Sequence, residues 1–338
     1  MSETFKNKIK NSREIKDTSL KTYISALRKL KKKIEPENKE PLTNTDFLQD
    51  FNKVMSVIND ENKLTSKKNK LTAVLVALNS DDPKNKTLID KYGNELKTLG
   101  EKYLAFLRQQ KKTETQEKNW LSYDELVKIV NKVMEKVKVR DITKKKSGDE
   151  LTNKEFDILQ QYVILRTYLT FPLRNDFADM RIVKLKDFKK IPKEEREKNN
   201  YLVLMSNNRK QFHINQFKNR KYIGSKVLDV PTKLNRVINL WLRHNKSGYY
   251  LVKCDKKTPM NPNNITKFLN KIFVRNANGK KISTSMIRHI VISHMLEGEK
   301  TLKQKEKEAE EIENKFFHSK NINELYRKVD DENEDIES

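Results

Sequence analysis

Residues 170–188 read TFPLRNDFADMRIVKLKDF, and the character of the sequence changes across them. Before this stretch, Phe156, Leu159, Val163 and Leu169 recur at helical spacing behind a capping box formed by Thr152 and Glu155. Pro172 has no N–H to donate and restricts the residue before it, so the helix ends there. Beyond it lie short runs rich in β-branched and aromatic residues: YLVLM at 201–205, QFHI at 211–214 and KVLDV at 226–230. Basic, polar segments separate them. This pattern predicts a three-stranded antiparallel meander. Helices resume at 232–244, 262–274, 284–296 and around 321–329. The predicted class is mainly α with a small antiparallel β-sheet.

Upstream, a second capping box, Ser122 with Glu125, opens a helix through Leu126, Ile129, Val130 and Val133. Residues 109–119, QQKKTETQEKN, hold no apolar side chain and read as a linker. Four amphipathic helices precede it. The first carries Leu20, Tyr23, Ile24, Leu27 and Leu30 and ends near Pro36; the second covers 46–58. The third carries Leu71, Val74, Leu75 and Leu78, and the fourth runs through Leu88, Tyr92, Leu96, Leu99, Tyr103 and Leu107. The expected organisation is a flexible basic N-terminus (1–16), a helical bundle (17–110), a linker (111–119), a second domain (120–329) and an acidic, disordered tail (330–338). Residues 301–314 read as a solvated helix of mixed charge.

Composition narrows the function. Lys and Arg number 72 against 47 Asp and Glu, a net charge of +25 over 338 residues. The simplest use of that excess is to neutralise a polyanion. No apolar run is long enough to span a membrane and no signal peptide is evident, so a protein inside the cell and without a membrane partner is expected. A single cysteine, Cys254, leaves no disulfide framework and is expected to be buried; five histidines without cysteine partners argue against structural zinc. Only seven glycines, and no glycine-rich phosphate loop, argue against ATP, NAD or another small-molecule cofactor. Trp120 and Trp241 are expected in the core.

Cutting a phosphodiester without a metal needs a protein nucleophile, cations to offset charge in the pentacoordinate transition state, and an acid for the departing oxygen. Tyrosine suits the first role. Arginine suits the second because its planar fork donates two hydrogen bonds to non-bridging oxygens, and a lysine on a hairpin turn suits the third. The second domain supplies such groups in order. Arg174 follows Pro172, Lys218 lies between two predicted strands, Arg288 lies in STSMIRHIVISHML, His318 in FFHS, and Tyr326 in NELYRKV.

In that order, and in the LR…LKDF and RH…HS…Y motifs, residues 119–330 resemble the tyrosine recombinase (phage integrase) superfamily, and the helical bundle before them resembles its core-binding domain. The lysine and asparagine richness and the wording PLRNDFADM are most similar to integrases of virophages and large DNA viruses of protists. The resemblance implies a DNA clamp of C shape that cuts and rejoins specific double-stranded sites, working as a homotetramer. Tyr326 would form a 3′-phosphotyrosyl link, Arg174 and Arg288 would hold the phosphate, Lys218 would protonate the leaving 5′-oxygen, and His318 would donate a hydrogen bond to the phosphate. No cofactor or metal is implied.

Departures accompany the resemblance. The usual histidine three residues before the second arginine is Ser285, and His289 is expected to project elsewhere on the helix. The usual acidic position after the first arginine is Phe177, flanked by Asp176 and Asp179. Lys210 and Lys221 also lie on hairpin turns, although Lys218 is preferred. The rivals are a type IB topoisomerase, a catalytically inactive DNA-binding relative and an unrelated basic nucleic-acid-binding protein.

Overall fold

The computed structural model describes residues 3–12, 15, 17–297 and 325–329. By internal contacts the chain divides into two compact units, one ending at Gln109 and the other starting at Gln110.

The first unit is helical: α1 (Glu3–Asn11), α2 (Asp17–Ile34), α3 (Phe51–Asn59), α4 (Leu64–Asp81) and α5 (Lys86–Arg108). On α2 the expected stripe is the buried face, Leu20, Ile24, Leu27, Leu30 and Ile34. Helix α4 is apolar on more than one side, burying Leu71, Val74, Val76 and Leu78 among others. It can do so because α1, α2, α3 and α5 all pack against it.

Two expectations are corrected here. Residues 46–58 do not form one helix: a 3-10 turn covers Asp46–Leu48, and Asp50 then leaves helical geometry to cap α3, its side chain accepting the Lys53 N–H. An aspartate that satisfies an orphan helix donor outweighs the continuous apolar period. The N-terminus expected to be flexible contains α1, whose Phe5 and Ile9 are 1% and 0% exposed. Burying two such side chains stabilises by roughly 1.5–3 kcal/mol each, enough to dock a basic nine-residue helix.

The second unit comprises α6 (Glu114–Asn119), α7 (Tyr123–Val139), α8 (Asn153–Thr170), β1 (Arg181–Lys184), α9 (Leu185–Lys190), α10 (Lys193–Arg196), β2 (Tyr201–Leu204), β3 (Lys210–Ile214), α11 (Arg220–Ile223), β4 (Lys226–Asp229), α12 (Thr232–His244), α13 (Pro262–Asn276) and α14 (Thr284–Met295). Both anticipated capping boxes form, at the starts of α7 and α8. Helix α8 is the centre of the core, with α7, α12, α13 and α14 packed on it.

The sheet has four strands in the order β1-β2-β3-β4. Strands β2, β3 and β4 form the expected antiparallel meander, but β1 joins β2 in parallel, Arg181 opposite Tyr201 and Lys184 opposite Leu204. The sheet is therefore mixed rather than antiparallel. Residues 181–184 are too short to reveal a strand by alternation, and the α9–α10 crossover supplies the return path that a parallel pair requires. The segment expected to be a bare linker holds α6, closed by a capping box between Thr113 and Gln116. Trp241 is fully buried; Trp120 is only half-buried, with the Lys112 ammonium 4.9 Å above its ring. Cys254, expected to be buried, is exposed.

The predicted helix at 301–314, the acidic tail 330–338 and His318 lie outside the described residues. No helix among the described residues is long and apolar enough to cross a membrane.

Candidate active site

Arg174 sits on the turn that α8 delivers. Phe171 leaves helical geometry ahead of Pro172, as the proline dictates, and Leu173 is fully buried. Three groups then fix the backbone of Arg174 and of the residues after it. The Tyr168 hydroxyl donates to the Arg174 carbonyl at 2.9 Å, and the Arg174 N–H donates to the Asp176 carboxylate at 3.1 Å. Asn200 Nδ2 donates to the Asp176 carbonyl at 2.8 Å. Phe177 occupies no acidic role: it is fully buried with its ring edge-on to Tyr168 and Phe212. The acidic neighbour is Asp176. Burial raises its pKa, and the Arg288 and Arg174 guanidiniums offset only part of the rise.

Arg288 is buried on α14, only 1% exposed. Its guanidinium lies 5.2 Å from the centre of the Tyr326 ring. Burial, with Arg174 nearby, pushes its pKa down to about 10, while Tyr326, Asp176 and Tyr168 oppose the fall. It stays charged at neutral pH. Arg174 Nη2 reaches the Tyr326 hydroxyl at 3.3 Å, across 152 positions of sequence. Two arginines therefore meet at one tyrosine, with the Asp176 carboxylate near enough to both to offset part of their mutual repulsion.

The lysines are placed differently. Lys210, on β3, is buried, and its ammonium donates to Asn235 at 2.8 Å, to Asn239 at 2.5 Å and to Asn208. Burial lowers its pKa. These bonds commit it to tying the sheet to α12. Lys218 and Lys221 are exposed on the connection between β3 and β4, and the structure brings neither against Arg174, Arg288 or Tyr326. That connection is anchored at its start and midway. Asn200 Oδ1 accepts the N–H groups of Asn215 and Gln216 at 2.8 and 2.7 Å, and Arg220 pairs with Glu197 at 3.0 Å. Asn200 thus links the Arg174 turn to the start of the lysine loop, a role that no sequence period could signal.

Ser285 is exposed. His289, expected to project away, instead meets Tyr326: Nδ1 lies 2.7 Å from the Tyr326 carbonyl oxygen and the two ring centres are 4.9 Å apart. Among the described residues, no group of three or more His, Cys, Asp or Glu gathers to hold a metal ion.

No family model and no curated protein matches this chain. Among solved structures, the chain is similar to the crystal structure of XerA recombinase, with a TM-score of 0.39 and 11% identity over 97% of this chain and 94% of that one. A likeness that loose adds nothing to the reading of the site, which rests on the residues themselves.

Proposed function

We propose that this protein is a DNA recombinase of the tyrosine type, cutting and rejoining duplex DNA through a covalent link to Tyr326. The observation that carries the proposal is the convergence of Arg174 and Arg288 on the Tyr326 side chain from three distant parts of the chain.

In the proposed reaction the scissile phosphate enters between the two guanidiniums, whose forks hold its non-bridging oxygens and offset the charge that grows as phosphorus becomes pentacoordinate. The Tyr326 oxygen bonds to phosphorus and releases its proton to solvent, while the bond to the 5′-oxygen breaks. That oxygen leaves as a hydroxyl after taking a proton from an acid. Lys218 or Lys221 would be this acid, brought in by the β3–β4 connection; Lys210 is committed elsewhere. His318 would supply a further hydrogen bond to the phosphate. Rejoining is the reverse reaction with a new 5′-hydroxyl, so the energy of the broken bond is retained in the phosphotyrosine and no nucleotide cofactor is consumed.

Positive charge over a +25 chain fits phosphate contacts along a duplex. The full enzyme would close around DNA as a C-shaped clamp and act as a homotetramer on paired sites, with integration of a viral element as its setting. The exposed Ser285, where such enzymes carry a histidine, favours a second reading: an inactive relative that binds DNA only.

The test is a nicked suicide duplex with the chain in EDTA. Formation of a covalent protein–DNA adduct by wild type, and none by Tyr326→Phe, supports the proposal. Tight binding without any adduct favours the inactive relative.

A further inference from the structure

The residues after Tyr326 run along α14, and the contacts are made through their backbone. His289 Nδ1 lies 2.7 Å from the Tyr326 carbonyl oxygen. One helical turn later, the Ser293 hydroxyl accepts the Lys328 N–H at 2.8 Å. Residues four apart share a helix face, so α14 presents both side chains to the same short segment. The other side of that segment is held as well. Val329 N–H donates to the Gln110 carbonyl at 3.2 Å, and the buried Lys328 ammonium donates to the Lys111 carbonyl at 2.9 Å.

The chemistry fixes the state of the histidine. A carbonyl oxygen can only accept, so Nδ1 carries the ring proton. Burial holds the His289 pKa down to about 4, with Lys328 and Arg288 adding to the fall and the bond to Tyr326 opposing it. The ring is thus neutral near pH 7 and keeps the donating tautomer. Arg288 and His289 are consecutive: the first faces the ring of Tyr326 and the second grips its backbone.

We infer that His289 and Ser293 are positioning residues for Tyr326: they latch the backbone of 326–328 to α14 and so hold the tyrosine hydroxyl at Arg174 before DNA arrives. This inference rests on the reading of Tyr326 as the nucleophile. A latch on the backbone fixes where the residue sits whatever its side chain does, which reduces the motion lost on reaching the attacking geometry.

Asparagine places an amide donor at the position of His289 Nδ1, glutamine puts it one bond farther out, and leucine has none. The experiment therefore compares His289→Asn with His289→Leu in the full chain, and adds Ser293→Ala. Hydrogen exchange of the Lys328 and Val329 amides is measured without DNA, with thermal melting as the check on the global fold. His289→Leu and Ser293→Ala are expected to speed exchange about tenfold, the loss of one hydrogen bond, while His289→Asn stays near wild type. Exchange at the wild-type rate in His289→Leu, or equally fast exchange in His289→Asn and His289→Leu, would overturn the latch. On the suicide duplex, His289→Leu should form adduct about tenfold more slowly with DNA affinity unchanged, and His289→Asn should recover the rate. An unchanged rate in His289→Leu despite faster exchange would overturn the positioning role. If wild type forms no adduct at all, the nucleophile reading fails, yet exchange still decides the latch.

Discussion

The turn that carries Arg174 and the loop that carries Lys218 are neighbours in the same unit, but they hold their functional side chains differently. The arginine turn is held by Tyr168, Asp176 and Asn200 and lies on buried Leu173 and Phe177. The lysine loop is bonded to Asn200 at its start and to Glu197 midway and buries Phe217, yet its two candidate acids stand in solvent. The difference suggests a division of labour. In the proposed reaction the groups that meet a growing negative charge are fixed beforehand, because reorganising dipoles and charges during reaction costs rate. The proton donor can be brought in by the substrate, because an acid is needed only once the phosphate is in place.

The largest effect that would break this comparison is at the fixed half. Tyr326→Phe should abolish the covalent adduct while leaving DNA affinity within about twofold, since the hydroxyl supplies the reacting atom and not the phosphate grip. Arg174→Ala and Arg288→Ala should each lower the rate of adduct formation by about 10³, measured under single turnover. Arg288→Lys keeps a cation but loses the fork, so a rate close to the alanine variant would identify the bidentate geometry as the needed feature.

At the loop, alanine at the true acid should slow cleavage about 10²-fold. A substrate with sulfur in place of the bridging 5′-oxygen leaves without a proton, so it should restore the rate for that variant and not for Tyr326→Phe. Comparing Lys218→Ala with Lys221→Ala on this substrate names the acid. Rescue of neither would contradict delivery of a lysine by this loop.

Asn200→Ala tests the joint between the two halves. It removes the side chain that bonds both, so a stability loss of roughly 1–3 kcal/mol is expected in denaturant titration, together with slower cleavage. The smallest effect lies outside the site. Lys145 first, and then the Thr152 backbone, hold the Glu155 pKa down to about 2. A depressed carboxylate pKa means stability that is present above its ordinary value near 4.5 and is lost as pH falls toward 2. Glu155→Gln should flatten that part of the stability profile by about 1 kcal/mol.

How much of this the sequence disclosed depends on which features leave a periodic trace. Helix α2 was legible because its apolar residues recur on one face, and α8 because a capping box and Pro172 bracket it. Strand β1 was not, because four residues between a loop and a helix have too few alternations to register. Helix α1 was hidden by its lysines: among its described side chains only Phe5 and Ile9 are buried, and two residues make no pattern. The candidate site shows the same limit. Arg174, Arg288 and Tyr326 could be picked out by order and residue type, while Asn200 and His289 act through backbone atoms 15 to 37 positions away, and such bonds have no residue code at the partner. Lys210 is a less preferred alternative to Lys218 in sequence, since both lie on hairpin turns. It differs because β3 turns it inward onto Asn235 and Asn239, a pair that the sequence places on a separate helix.

The central claim is that Tyr326 becomes covalently bonded to DNA. Its most direct test is to trap wild-type protein on a nicked suicide duplex in EDTA, digest the complex with protease and nuclease, and locate the nucleotide-bearing residue by mass spectrometry. The account predicts a single modified peptide with the phosphodiester on Tyr326. A nucleotide on any other residue, or an adduct that persists in Tyr326→Phe, would contradict it.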